Sequence, residues 1–212
     1  MTMTLEHAVM DLVDDTSFMF PAGDWADIRA HLPVLYTLAR WCTCAPFGEP
    51  MPQRGPRCLE IGVRQGVSTV AILSALRRVY GRLVSLDIDP VETDRARAVI
   101  EQAGLAPWWE FHLIHSDEFI RTWTLGELDF LWIDGDHQAP QPMRDFTNYE
   151  PLVRVGGMIA MHDYYVEPWR SDAGGVAHAV EAARVSGRFE VLTLSYSYGL
   201  TLLRKLSAED AR

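Results

Sequence analysis

Two apolar runs near the carboxyl end of the chain are separated by only three residues. The first reads RFEVLTL (188–194), the second reads YGLTLLRKL (198–206), and SYS lies between them. A parallel pair of strands needs a crossover of about a dozen residues, so a gap of this length allows only an antiparallel pair. We therefore expect the chain to end in a β-hairpin.

Upstream of the hairpin, five short apolar runs alternate with segments of helical pattern. The runs are RCLEIGV (57–63), RLVSLDI (82–88), WEFHLIH (109–115), LDFLWID (128–134) and GGMIAMHD (156–163). Helices are predicted at 66–79, 91–103, 117–123 and 139–153. This alternation is typical of right-handed βαβ units and of a parallel sheet covered on both faces. Together with the hairpin it predicts a Rossmann-like α/β fold with a seven-stranded, mostly parallel sheet.

The first 56 residues predict an N-terminal helical cap and linker. In DWADIRAHLPVLYTLARW (24–41) the apolar residues recur at three- and four-residue steps, and Pro33 is expected to begin a second helix. The Pro- and Gly-rich APFGEPMPQRGPR (45–57) follows as a loop. The predicted division is a cap and linker at 1–56, a core at 57–206 and a tail at 207–212.

Charge and composition limit the partners that we expect. The 212 residues carry a formal net charge of −10 and no basic block, so nucleic acid is not an expected partner. No apolar run approaches the roughly 20 residues that cross a bilayer. The three cysteines are an odd number without metal-ligand spacing, which favours free thiols and a cytoplasmic location.

A glycine turn follows the first predicted strand, in LEIGVRQGVST (59–69). Gly62 and Gly66 permit a tight turn and a close approach of ligand to backbone, and the helix that opens there offers free N–H donors. Asp87 ends the second strand, where a carboxylate can accept from both hydroxyls of a ribose. In an open parallel sheet a ligand binds beyond the carboxyl ends of the strands. The pattern therefore predicts a nucleoside site.

The spacing of the glycines distinguishes two kinds of nucleoside site. A dinucleotide site would favour G-x-G-x-x-G, whereas here Gly62 and Gly66 stand alone and Glu60 precedes them. The Glu60 carboxylate would oppose a phosphate but suits a cationic ligand. This E-x-G-x-x-x-G pattern resembles motif I of the class I methyltransferases that use S-adenosylmethionine.

The resemblance implies a set of residues that contact S-adenosylmethionine. It places Asp117, after the third strand, near the adenine amino group, with Ser116 in its place if the register slips by one residue. The implied residues are Glu60, Gly62, Gly66, Ser68, Asp87, Ser116, Asp117 and Asp134.

The fourth apolar run ends in an unusual concentration of ionisable residues. In LDFLWIDGDHQAP (128–140), Asp134, Asp136 and His137 follow directly after the apolar residues. The fifth run ends at Asp163, and neighbouring strands lie about 4.8 Å apart, so Asp134 and Asp163 can converge. Carboxylates gathered in this way repel unless they hold a cation or a proton, and oxygen ligands suit Mg²⁺.

The segment 128–165 resembles the IDGDH…D…GG…HD block of small class I methyltransferases, which include sugar and small-molecule O-methyltransferases of natural-product pathways. The resemblance implies that Asp134 and Asp163 hold a divalent metal such as Mg²⁺, with Asp136 as a possible third ligand. Tyr164 stands where catechol-type enzymes carry an asparagine, a departure that leaves metal dependence open.

The same resemblance implies catalytic residues. His137 lies where catechol-type enzymes have a lysine base, with Asp134 beside it, and His162 is a second candidate. Two alternatives remain: His137 could cap the following helix or bind Asp136, and His162 could be a buried, hydrogen-bonded residue. For Asp145, which recurs in the block, a structural role is favoured.

The sequence thus predicts a methyltransferase that uses S-adenosylmethionine and transfers a methyl group to a hydroxyl of a small molecule. The alternatives are a Rossmann oxidoreductase that uses NAD(P) and a non-catalytic cofactor-binding module of the same fold. Tyr164, Tyr165, Trp169 and Arg170 could form an acceptor wall or lid. The N-terminal helices could form a homo-oligomer contact.

Overall fold

The computed structural model describes residues 26–42, 54–165 and 175–209. Seven strands form one sheet: β1 (Arg57–Ile61), β2 (Arg82–Asp87), β3 (Trp109–Leu113), β4 (Leu128–Ile133), β5 (Val153–His162), β6 (Phe189–Leu194) and β7 (Leu200–Lys205). Their order is β3-β2-β1-β4-β5-β7-β6. Strands β1 to β5 are parallel, and β7 is antiparallel to both β5 and β6. The predicted fold class, including the terminal hairpin, is confirmed.

The helices are α1 (Ala26–Arg29), α2 (Leu32–Trp41), α3 (Val67–Leu76), α4 (Pro90–Gln102), α5 (Ser116–Phe119), α6 (Gln141–Tyr149) and α7 (Gly175–Ser186). Pro33 lies in the first turn of α2, as predicted. Helix α7, between β5 and β6, was not among the predicted helices. Within the described residues, none of the helices is both long and apolar enough to cross a membrane.

Strand β5 begins three residues earlier than the sequence predicts, and the predicted helix at 139–153 is correspondingly shorter. Val153 pairs with Leu128, and the register then shifts before Phe130 pairs with Met158. Gly156, at φ 75°, lies within this irregularity. The apparent start at residue 156 therefore marks a β-bulge inside the strand.

The N-terminal helices belong to the core on one face of the sheet. Leu32, Leu35 and Tyr36 of α2 are buried in the same apolar cluster as α3, and every residue of α3 is itself buried. Trp132 reaches this cluster from β4, whereas Leu131 faces the opposite cluster beneath α6 and α7. The alternation along β4 shows that helices cover both faces of the sheet.

A buried carboxylate joins three segments at the amino edge of the sheet. Asp129 of β4 has no exposed surface. Its Oδ2 accepts from Arg54 Nη1 at 2.5 Å and from the Arg57 backbone N–H at 2.8 Å, while its Oδ1 accepts from Arg154 Nε at 2.8 Å. Arg154 also donates to the Cys42 carbonyl at the end of α2. Asp129 therefore ties β1, β5 and the N-terminal helices together.

A second buried carboxylate lies inside the sheet next to the glycine turn. Glu60 of β1 accepts from Ser68 Oγ at 2.6 Å, from Thr69 Oγ1 at 2.8 Å and from Ser85 Oγ at 2.7 Å. Burial raises the pKa of Glu60 to about 7, against the three hydroxyl donors, which lower it. The glutamate thereby links β1 to β2 and to the first turn of α3.

Replacing Asp129 with asparagine should destabilise the fold. The substitution removes the charge that compensates Arg54 and Arg154, and loss of one partner from a buried ion pair costs about 3 kcal/mol or more. Denaturant unfolding should show this loss in the free energy of unfolding. Asp94→Asn, at an exposed position on α4, is the matched control and should change stability by less than about 0.5 kcal/mol. Equal stability of the two variants would contradict the proposed role of Asp129.

Glu60 should make stability fall as the pH rises from about 4.5 to about 7. In that window the unfolded chain has lost the proton that the folded chain retains, so deprotonation favours unfolding. Glu60→Gln removes this dependence, and its stability relative to the wild type should grow across the window by up to about 3 kcal/mol. Urea unfolding at several pH values measures the difference. Glu101→Gln, on the exposed face of α4, should follow the wild-type profile, and a constant difference for Glu60→Gln would refute the assignment.

Candidate active site

A cavity of about 440 Å³ opens at the carboxyl ends of the parallel strands. Its wall includes the glycine turn, the end of β2, the start of α5 and the residues that follow β4 and β5. Because β1 lies between β2 and β4, the strand order reverses at this point, which is where ligands bind in open parallel sheets. Asp27 and Ile28 of α1 also line it, so the N-terminal cap contributes to the site.

The two glycines of the turn are required by close contacts. Gly62 has φ 94°, and a Cβ there would lie 2.2 Å from the backbone oxygen of Asp134. Gly66 has φ 83°, and a Cβ there would lie 2.9 Å from the Ala96 Cβ. Positive φ and lack of space both exclude larger side chains. The turn after β1 therefore contacts the end of β4 directly, which places the two halves of the cavity side by side.

Asp87 lies at the end of β2 and lines the cavity. Its Oδ2 accepts from the backbone N–H groups of Val63 and Arg64 at 2.7 and 2.8 Å. Its Oδ1 accepts from the N–H groups of Ile88 and Asp89 at 2.7 and 2.9 Å. Asp87, which is predicted to bind the ribose, thus also holds the backbone of the glycine turn in place.

Four of the other predicted cofactor residues differ in their surroundings. Ser68 lines the cavity, but Glu60 does not, and its carboxylate supports the turn from within the sheet. Asp117 is directed toward α6, where Asn148 Nδ2 donates to it at 3.2 Å and Arg144 lies 3.5 Å away. Ser116, the neighbour expected after a one-residue slip, lines the cavity instead.

Across the cavity, the structure brings together Asp134, His162 and Asp163. One ligand atom from each lies within 4.8 Å of the others. His162 Nδ1 is 3.3 Å from Asp134 Oδ1 and 3.3 Å from Asp163 Oδ1. The other ring nitrogen, Nε2, lies 3.1 Å from the carbonyl oxygen of Ser197. Since a carbonyl can only accept, Nε2 carries the proton, and Nδ1 faces two carboxylates that require a proton or a cation between them.

His137 lies between the same two carboxylates. Its Nδ1 is 2.7 Å from Asp163 Oδ2, and its Nε2 is 3.4 Å from Asp134 Oδ1. The Nε2 atom is buried and makes no hydrogen bond within the described part of the chain. The ring is therefore oriented by Asp163, while Nε2 is left for a further partner.

The carboxylates change the proton affinity of both histidines. Burial alone would lower the pKa of His137, but hydrogen bonds and charge from Asp134 and Asp163 outweigh it and raise the pKa to about 10. His162 is affected in the same way, and its pKa rises to about 9 despite burial. For Asp134, burial opposes ionisation, but the two histidines hold its pKa below the usual value. Without a cation, the two carboxylates therefore favour the protonated form of both imidazoles.

The remaining predicted residues lie outside this cluster. Asp136 lines the cavity, but its Oδ1 accepts from the Gln138 N–H at 2.8 Å, and it is not part of the metal-type group. Tyr164 donates its hydroxyl to Glu181 at 2.7 Å, and its ring packs edge-on against Tyr165. Trp169 and Arg170 lie outside the described residues.

One residue near the site escaped the sequence analysis. His31, between α1 and α2, is fully buried, and its Nε2 lies 3.1 Å from the Ser197 carbonyl that His162 also contacts. Its ring stacks on Tyr196 and meets the His162 ring at 5.2 Å. Burial lowers the pKa of His31. An isolated histidine in a helical pattern carries no signal of such a contact, which spans 166 residues of sequence.

Comparisons with known proteins agree with this architecture. The chain is 29% identical over 174 residues to caffeoyl-CoA O-methyltransferase 2 of Petunia hybrida, a match that covers 70% of this chain and 68% of the relative. Caffeoyl-CoA O-methyltransferase 1 of Nicotiana tabacum is 28% identical over 174 residues, with 70% and 69% covered.

Solved structures show the same fold at lower identity. The O-methyltransferase TomG of Streptomyces achromogenes, in complex with SAM, superposes with a TM-score of 0.69 at 21% identity, covering 94% of this chain and 90% of TomG. The O-methyltransferase of Bacillus cereus, in complex with SAH, gives 0.68 at 20% identity, with 97% and 92% covered.

A family model described as a methyltransferase domain matches residues 59–164, which is half of the chain. The matched segment extends from the glycine turn to the Asp163 cluster, and so contains both sides of the cavity. The chain belongs to this methyltransferase domain family.

Proposed function

We propose that this methyltransferase uses S-adenosylmethionine to methylate a hydroxyl group of a small molecule. The observation that carries the proposal is that a single cavity has the glycine turn and Asp87 on one side and the cluster around Asp134 and Asp163 on the other. The curated relatives, named as O-methyltransferases, support the same reaction type. A nicotinamide oxidoreductase is disfavoured by the family match and by the glycine spacing.

The first side of the cavity fits the nucleoside. Gly62, at φ 94°, brings the backbone of the turn to the cavity wall, where a nucleoside can approach it closely. Asp87 can accept hydrogen bonds from ribose hydroxyls, and the apolar side chains of Ile88 and Ile114 line the wall beyond it. When bound, S-adenosylmethionine supplies a methyl group that its sulfonium already makes electrophilic. The protein has to orient the acceptor and receive its proton.

His137 is the residue placed to receive that proton. Its buried Nε2 lies 3.4 Å from Asp134 Oδ1 but makes no well-formed hydrogen bond within the described residues, so an acceptor hydroxyl can supply one. Asp163 holds Nδ1 at 2.7 Å and stabilises charge on the ring. The raised pKa of His137 favours the imidazolium form when no cation is bound. Positive charge brought into the cluster, from a sulfonium or from a divalent cation, opposes that proton and favours the neutral base.

The second side of the cavity also fits a divalent cation. Asp134, His162 and Asp163 present donor atoms within 4.8 Å of one another, and the second nitrogen of His162 is fixed by the Ser197 carbonyl, as in many metal-binding histidines. Two carboxylates and one imidazole suit Mn²⁺ or a similar transition metal better than Mg²⁺, which prefers oxygen ligands throughout. Such a cation would lower the pKa of a hydroxyl bound beside it.

The charge of the cavity indicates what kind of acceptor it takes. Among the described residues that line it, eight are acidic and Arg64 is the one arginine. The acidic residues are Asp27, Asp87, Asp89, Glu92, Asp134, Asp136, Asp145 and Asp163. A polyphosphate carrier such as coenzyme A would be repelled, so we propose an uncharged or ammonium-bearing small acceptor. A homo-oligomer through the N-terminal helices and a cytoplasmic location remain predictions.

Isothermal titration should show that the purified protein binds S-adenosylhomocysteine and not NADH. Asp87→Ala should weaken the binding by about 10- to 100-fold, because it removes hydrogen bonds to a charged group, each worth about 1.5–3 kcal/mol. Asp94→Ala, on the exposed face of α4, should bind like the wild type. Binding of NADH in preference to S-adenosylhomocysteine would overturn the proposed function. Unchanged affinity of Asp87→Ala would remove Asp87 from the site.

The metal proposal is tested by titrating Mn²⁺, and separately Mg²⁺, into protein stripped with EDTA. Mn²⁺ should bind more tightly than Mg²⁺. Asp134→Asn should weaken Mn²⁺ binding at least 10-fold and suppress methyl transfer while sparing S-adenosylhomocysteine binding. Asp136→Asn tests whether Asp136, a metal ligand predicted from the sequence, binds the ion. Because Asp136 lies outside the cluster in the structure, this variant should bind Mn²⁺ like the wild type. Equal Mn²⁺ affinity in wild type and Asp134→Asn would refute the site.

A further inference from the structure

Three buried polar residues form a hydrogen-bonded group on the cavity wall, between the start of α5 and the start of α6. Asp145 Oδ1 accepts from Ser116 Oγ at 2.5 Å and from Gln141 Nε2 at 2.9 Å. The Tyr149 hydroxyl donates to the Ser116 carbonyl at 2.7 Å and so fixes the backbone there. Ser116, Gln141 and Asp145 all line the cavity. The group has no role in the reaction as described above.

The Asp145 carboxylate is satisfied on one side only. The residue is 1% exposed, and both hydrogen bonds that it receives from the described residues end on Oδ1. Burial raises the pKa of Asp145, and the hydrogen bonds from Ser116 and Gln141 oppose this effect. Since the residue lines the cavity, a ligand can supply the donor that Oδ2 needs.

The position of Asp145 indicates which part of a ligand reaches it. If the ribose lies at Asp87, as the proposed function requires, the base extends along the wall that Ile88 and Ile114 form. Two branched aliphatic side chains suit the faces of a flat ring. The same cavity wall carries Ser116, two residues after Ile114 on the chain, and Asp145, which accepts from the Ser116 hydroxyl. A base with an exocyclic amino group at its far edge would present N–H donors to these polar residues.

We propose that Asp145 accepts a hydrogen bond from the adenine amino group and thereby selects the adenine-bearing cofactor. This inference rests on the proposed function and names a residue of the same site that determines its specificity. It replaces the assignment of this role to Asp117, because Asp117 is directed away from the cavity toward Arg144 and Asn148. Gln141 and Ser116 act as positioning residues that hold the Asp145 carboxylate in place.

The proposed hydrogen bond requires an amino group on the base. S-Inosylhomocysteine differs from S-adenosylhomocysteine in carrying a carbonyl oxygen where adenine carries the amino group. A carboxylate facing that oxygen would lose its donor and meet a second acceptor. Sites built to hydrogen-bond a polar group discriminate strongly against an analogue that lacks it. Asparagine at position 145 could donate to the carbonyl or accept from the amino group, and would therefore discriminate weakly.

The test measures the affinities of both nucleosides for the wild type and for Asp145→Asn, Asp117→Asn and Asp94→Asn by isothermal titration. The wild type should prefer S-adenosylhomocysteine at least 50-fold, and Asp145→Asn should reduce the preference below about 5-fold, partly by improving the binding of S-inosylhomocysteine. Asp94→Asn, on the exposed face of α4, is the control for charge and should keep the wild-type ratio. If Asp145→Asn does not fold, Asp145→Ser is measured instead.

Each alternative result has a defined meaning. An unchanged ratio in Asp145→Asn, or an equal loss of affinity for both nucleosides, would show that Asp145 is only structural and overturn the inference. A ratio that falls in Asp117→Asn but not in Asp145→Asn would restore the sequence-based assignment. A wild type that binds neither nucleoside would refute the proposed function itself, so the two failures are distinguishable.

Discussion

The buried carboxylate of Glu60 supports the whole ligand-binding side of the molecule. It draws hydroxyl groups from α3 and β2 onto the end of β1, immediately before the turn at Gly62. Asp87 then holds the outer part of the same turn through backbone N–H groups. With both carboxylates in place, Gly62 approaches the end of β4 and Gly66 approaches Ala96 of α4, each closely enough to exclude a Cβ. The glutamate of the E-x-G pattern therefore acts by shaping the turn from within the sheet.

On the opposite side, two carboxylates and two imidazoles form a compact group in which the charges depend on one another. The Nε2 atom of His162 donates to the Ser197 carbonyl, so its Nδ1 atom faces Asp134 and Asp163. Two protons or one divalent cation can balance these carboxylates. The same group therefore suits either a metal-assisted site or one that works with histidine alone. Tyr164, which stands where the catechol-type pattern has an asparagine, donates to Glu181 and leaves the convergence of Asp134 and Asp163 intact.

The fold could be predicted from the sequence because its constraints are local. The three-residue gap before β7 and the alternation of runs determine the sheet, and the convergence of Asp134 and Asp163 follows from the adjacency of β4 and β5. The direction of Asp117 could not be predicted, since each residue at a helix start turns the side chain by about 100° and a slip of one exchanges Ser116 for Asp117. The early start of β5 depends on the bulge at Gly156, which interrupts the alternation along the strand. The contact between His31 and Ser197 depends on packing between distant segments, and no local sequence pattern predicts it.

The Ser197 carbonyl accepts from His31 and lies against His162, and it is presented by a turn in which Ser197, Tyr198 and Gly199 all have positive φ. One atom of the last hairpin thus joins the start of the described chain to the reacting cluster. The ring positions of both histidines therefore depend on the backbone of one turn, and a substitution that altered the backbone at Ser197 would release two imidazoles at once.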